Sequence, residues 1–158
     1  MPAMNSDIKF TINAAFFQEI KEDHQHINEL RDKLGALMAE PAALGNHCRR
    51  FKRLLAEFRD QLAFHFTLEE AYGYFEDALE GTPWLHGRAG QLRSEHEALY
   101  LQLSAIAEKA QDISIDDSSL LEEIAAQYSS FCAAFHSHEK AEMKLILEAM
   151  NQDFGEGE

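Results

Sequence analysis

Apolar side chains recur at steps of three and four residues along nearly the whole chain, and only Pro2, Pro41 and Pro83 break the pattern. That is the 3.6-residue period of an amphipathic helix, not the alternation of a half-buried strand. Helix A runs from about Asn13 to Met38, with Phe17, Ile20, His24, Ile27 and Leu34 on one stripe, and the turn from Glu40 to Gly45 ends it. Helix B then continues to about Leu79; its stripe reads Phe51, Leu55, Phe58, Leu62, His65, Glu69, Tyr72, and Gly81-Thr82-Pro83 stops it. Helix C, from about Arg88 to Ala110, repeats Leu92, His96, Leu99, Leu103 and Ile106. Helix D starts near Asp116 to Ser118, residue types that suit an N-cap, and carries Leu121, Ile124, Tyr128, Phe131, Phe135, His138, Glu142 and Leu145. Long helices with short connections predict an all-α fold, an up-down-up-down antiparallel four-helix bundle.

The chain has 158 residues, enough for one substantial core and too few to suggest two. A single domain over 1–158 is expected, with an N-terminal strap at 1–12, the bundle at 13–152 and a frayed tail at 153–158. The strap is suggested by Ile8, Phe10 and Ile12, which alternate with polar neighbours. A net charge of −14 without a basic run argues against nucleic acid or an anionic membrane as partner. No apolar stretch approaches the ~20 residues of a spanning helix, and the start, MPAMNSDIKF, has no leader-like apolar region. The expectation is a soluble, cytoplasmic protein. Cys48 and Cys132 are far apart and form no CxxC, so they are read as reduced thiols outside the chemistry.

Six polar groups occupy core positions of these stripes: His24, His65 with Glu69 four residues on, His96, and His138 with Glu142 four residues on. Buried imidazoles and carboxylates are costly unless something pairs them. In an antiparallel pair, residues equidistant from the turn lie at one height. Midway between His24 and His65 lies Gly45; midway between the first His/Glu pair and His96 lies Gly81; midway between His96 and the second pair lies Ser118. All three points fall on turns, so the six groups should share one layer. An i, i+4 spacing sets each His ~40° from its Glu, one turn away, so both reach one small volume. Two ions bridged by Glu69 and Glu142, each with two imidazoles, use the whole set. Mixed nitrogen and oxygen donors with open positions suit iron, with manganese and zinc as chemical alternatives.

On these residues the chain resembles the hemerythrin-like HHE cation-binding family, whose pattern is His, His-x-x-x-Glu, His, His-x-x-x-Glu on four successive helices. The likeness spans about Asn13 to Asn151 and includes EDHQHI, AFHFTLEE, RSEHEAL and FHSHEKAEM. The resemblance implies two iron ions (Fe2+/Fe3+), one served by His24 and His65 and the other by His96 and His138. Glu69 and Glu142 would bridge them, with room for an oxo or hydroxo bridge. Oxygen-carrying members have a second His four residues after the helix C ligand and a carboxylate five after the helix D His. This chain has Tyr100 at the first place and Glu142 at four instead of five. The second iron is thereby left more open, or takes a phenolate, which weighs against reversible oxygen carriage.

Tyr100 stands open as a ligand, an outer hydrogen-bond donor or a packing residue. His26, His47 and His86 read as surface or turn residues, and His136, one flank off the stripe, is the sole substitute for His138 as ligand. Phe17, Phe58, Phe66, Phe131 and Phe135 read as core above and below the metal layer, and the acidic surplus, including Glu19, Glu22 and Asp23, as a solvated face. The function expected is a non-haem di-iron protein that binds or senses oxygen or iron without turning over an organic substrate. Its ligand would be dioxygen or another small diatomic or peroxide; no protein partner is legible. The alternatives are an oxidoreductase acting on peroxide, nitric oxide or oxygen at the same centre, and a metal-stabilised interaction module.

Overall fold

The computed structural model describes residues 2–40, 44–71, 82–114 and 117–156. These are helical almost throughout and contain no strand. Four long helices follow one another: α1 (Pro2–Met38), α2 (Cys48–Ala71), α3 (His86–Gln111) and α4 (Ser118–Glu156). Short 3-10 turns at Gly45–His47 and Pro83–Leu85 lead into α2 and α3. No helix among the described residues is long and apolar enough to cross a membrane.

Among the described side chains, the stripes read from sequence are the buried faces, apart from the partly exposed His24. On α4 the buried positions Leu121, Ile124, Tyr128, Phe131, Phe135, His138, Glu142, Leu145 and Ala149 advance by alternating steps of three and four, the seam of a helix packed lengthwise on its neighbours. Ile27, Leu30 and Leu34 on α1, Phe51, Leu55, Phe58 and Leu62 on α2, and Leu99, Leu103 and Ile106 on α3 meet that seam in one continuous apolar cluster. Phe58 sits at its middle, edge-on to Tyr128, Phe131 and Phe135 with centroids 6.4, 5.7 and 6.5 Å away. A smaller cluster joins Leu85, Ala89 and Leu92 to Leu145 and Ala149. Between the two clusters along α3 and α4 lie His96, His138 and Glu142, all buried. The polar layer thus interrupts the core instead of lining its surface.

Turn chemistry ends the helices where expected. The Asp112 and Ile113 amides donate back to Lys109 and Ala110 carbonyls at 3.4 and 3.2 Å and close α3, while the Asp117 carbonyl accepts from the Leu121 amide at 3.0 Å to open α4.

Two expectations differ from the structure. The stretch expected as an N-terminal strap is helix from Pro2, where α1 begins. Ile8 and Ile12 are four residues apart, so the same residues satisfy a helical spacing, and five alternating positions are too few to decide. The tail expected to fray from 153 stays helical to Glu156. The last turns expected of helix B, 72–79, and Gly81 and Asp116 lie outside the described residues, as do the side chains of Phe17 and Ile20.

Candidate metal centre

Three of the four helices bring their polar core positions to one point. Glu69 from α2, His96 from α3 and His138 and Glu142 from α4 each present a ligand atom within 4.8 Å of the others, and all four are buried. His96 Nε2 lies 3.1 Å from Glu69 Oε2 and 3.2 Å from Glu142 Oε1, between the two carboxylates. Each i, i+4 pair closes on itself, His65 Nε2 at 2.8 Å from Glu69 Oε1 and His138 Nε2 at 2.6 Å from Glu142 Oε1. The site's wall is aromatic: Phe66 stacks on His96, centroids 4.0 Å apart and planes 8° from parallel, and Phe135 stands edge-on to His65.

The Nδ1 side of each ring faces outward to another carboxylate. His65 Nδ1 makes a short bond to Asp23 Oδ2, and the other Asp23 oxygen accepts from Gln61. His96 Nδ1 lies 3.2 Å from Glu70, and His138 Nδ1 lies 2.7 Å from Glu95. A carboxylate behind an imidazole fixes its orientation and raises its basicity, the arrangement found behind metal-ligating histidines.

Burial disfavours charge on His65, yet the carboxylates of Asp23 and Glu69 outweigh it and raise its pKa to about 10. His96 is raised to about 9 against the same burial penalty by Glu142 and Glu69, and His138 is raised by Glu142 and Glu95. Burial raises the Glu69 pKa, but His65 and His96 prevail and bring it down to about 2. The donor set fits a cation in a further respect. His65 Nε2, His138 Nε2 and Glu69 Oε2 are buried without a hydrogen-bond partner among the described residues. The close i, i+4 contacts are near enough for charge attraction but wrongly angled for hydrogen bonds. Buried polar atoms left in that state are rare, and convergent imidazole nitrogens and carboxylate oxygens are what a divalent metal takes up.

The six residues named from sequence are not equally placed. His65, Glu69, His96, His138 and Glu142 are buried together. His24 stands at the edge, its side chain 35% exposed, its ring edge-on to His65 with centroids 4.8 Å apart and its Nδ1 3.5 Å from Glu139. Tyr100 is half-buried one turn beyond His96. His26, His47, His86 and His136 are exposed. Asp23, read as part of a solvated acidic face, is instead 4% exposed and bonded to His65. That reading failed because α1 turns Asp23 toward α2, while Glu19 and Glu22 do remain exposed. Sequence reasoning also passed over Glu70, Glu95 and Glu139. Their signal was adjacency: each neighbours a site residue in the chain, as Asp23 neighbours His24. Beside the cluster, a cavity of about 330 Å³ between α1 and α4 is lined by His24, Asn28, Glu69, Glu139, Glu142 and Met143, among others.

An all-helical core interrupted by buried imidazoles and carboxylates defines a cation-binding helical protein. The hemerythrin HHE cation-binding domain matches residues 15–114, and the chain belongs to that family. The matched span includes His24, His65, Glu69 and His96, while His138 and Glu142 lie beyond it and join the cluster through the fold. No curated protein and no solved structure matches the chain.

Proposed function

We propose that the chain is a non-haem di-iron protein of the hemerythrin-like class that binds or senses oxygen or iron through one carboxylate-bridged centre. The helices run up-down-up-down. Supporting that order, Arg88 at the start of α3 pairs with Glu148 near the end of α4, and Lys109 at the end of α3 with Glu123 near the start of α4, each at 2.6 Å. His24 and His65 would hold one ion and His96 and His138 the other, with the carboxylates of Glu69 and Glu142 available to both. Iron supplies a reversible one-electron couple and affinity for small oxygen-containing ligands. Asp23, Glu70 and Glu95 hold the rings in place from their Nδ1 side, Phe66 and Phe135 keep the layer within an apolar core, and His65 and His96 would give up their Nε2 protons as the metal enters.

The observation that carries this reading is the buried, hydrogen-bond-orphaned Nε2 atoms of His65 and His138, facing the carboxylates of Glu69 and Glu142 respectively. Reconstituting the protein anaerobically with ferrous iron and measuring metal per chain tests it. Two irons per chain are expected; one or fewer contradicts the di-iron reading. A second reading, reduction of peroxide, nitric oxide or oxygen at the same centre, is favoured by the cavity of about 330 Å³ against Glu69, Glu142 and His24. Sustained turnover with a reductant and one of these oxidants distinguishes it; a single stoichiometric oxidation restores the binding or sensing role.

A further inference from the structure

Four carboxylates outside the cluster form a circuit. Asp23 of α1 bonds to His65 of α2, Glu70 of α2 to His96 of α3, and Glu95 of α3 to His138 of α4. Glu139 of α4 lies 3.5 Å from His24 of α1, which closes the loop. None of these four outer carboxylates meets a histidine of its own helix: each faces the imidazole of the next. The sequence offsets explain why the loop has one hand. On α1 and α3 the outer carboxylate immediately precedes an inner histidine (Asp23-His24, Glu95-His96), whereas on α2 and α4 it immediately follows an inner residue (Glu69-Glu70, His138-Glu139). One residue is ~100° around a helix, backward on one pair and forward on the other. Reversing a helix's direction reverses the sense of that rotation, so with alternating helices all four carboxylates point the same way around the bundle.

We infer that Asp23, Glu70, Glu95 and Glu139 are positioning residues that act as one closed ring, each presenting the Nε2 lone pair of the next helix's histidine to the centre. This rests on the di-metal reading above for its consequence, not for its geometry. The ring is uneven. Asp23 is buried and additionally held by Gln61, whereas Glu139 is divided between His24 and Arg31, whose guanidinium bonds it at 3.0 and 3.3 Å. The His24 corner is therefore its loosest link, in keeping with the half-exposed ring there.

Two measurements test the ring. In the metal-stripped protein, proton and nitrogen NMR of the imidazoles should show slowly exchanging Nδ1 protons for His65, His96 and His138. Asp23→Ala, Glu70→Ala and Glu95→Ala should each remove the resonance of one histidine, on the following helix. Resonances that are absent, or lost without that pairing, overturn the ring whether or not the protein binds metal. In the second arm, ferrous affinity by chelator competition should fall about 10–100-fold in each of these variants. Asp23→Asn and Glu95→Gln, which keep an acceptor and the side-chain shape, should recover part of the loss and serve if the alanine variants fold poorly. Glu97→Ala, which removes an exposed carboxylate on the other side of His96, should leave affinity unchanged. A wild type that takes up no metal refutes the di-metal reading. A wild type that binds, with Asp23→Ala, Glu70→Ala and Glu95→Ala no weaker than Glu97→Ala, refutes the ring.

Discussion

His65 meets a carboxylate at each nitrogen, Asp23 at Nδ1 and Glu69 at Nε2, and that alone makes the protein's stability depend on pH in a predictable direction. Its folded pKa of about 10 lies above the ordinary 6.5, so in metal-stripped protein this group stabilises the fold fully below about 6.5 and loses that contribution as pH rises through about 10. Glu69, lowered to about 2 from 4.5, contributes above about 4.5 and loses its contribution as pH falls through about 2. The thermal midpoint of the stripped protein should therefore be highest between about 4.5 and 6.5 and decline from there toward pH 10. A midpoint that rises across the alkaline range contradicts this. Metal uptake must displace protons from His65 and His96, so a pH-stat should record proton release on loading, and affinity should increase with pH. Glu142 offers one oxygen to both His96 and His138. Glu142→Ala should cut bound iron from two per chain to one or none, with the helical circular dichroism signal retained; unchanged stoichiometry would remove Glu142 from the site.

The helices divide the labour between packing and chemistry, and the division can be tested one element at a time. Phe58 of α2 is fully buried against three aromatic rings of α4, one apolar layer away from the polar groups. Phe58→Ala should cost about 3–5 kcal/mol of unfolding free energy in denaturant titration while iron stoichiometry at low temperature is preserved. A small cost would mean that the α2 and α4 seam is not the spine of the fold. Periodicity made these elements legible because burial on one side of a rod forces apolar residues to return every three or four positions. It failed at residues 2–12, where Ile8 and Ile12 suit either period and a short stretch holds too few repeats to choose. The heights of the polar groups were legible for a related reason: once the turns are placed, a constant rise per residue fixes which side chains share a level.

The molecule as a whole hid its outer carboxylates in plain view. With 28 acidic residues against 14 basic, one more Asp or Glu beside a histidine looks like ordinary surface. Only the rotation of each helix relative to its neighbour separates Asp23, which is buried, from Glu22, which is exposed. The adjacency of Asp23, Glu70, Glu95 and Glu139 to site residues was visible, but its meaning depends on helix direction around the whole bundle. Because the clustered donor atoms come from three different helices, metal should stabilise the entire fold: at 100 times the dissociation constant, a site that binds only the folded chain adds about 2.7 kcal/mol. The thermal midpoint should rise on iron loading and return with a chelator; no shift means that loading does not join the helices. Two ions in one buried layer are the centre of the proposed function. Diffraction from iron-loaded crystals at energies on either side of the iron absorption edge locates them directly. Two anomalous peaks are expected between Glu69 and Glu142, one beside His65 and one beside His96 and His138. A single peak there, or iron only on exposed acidic residues with the layer unliganded, would contradict the account.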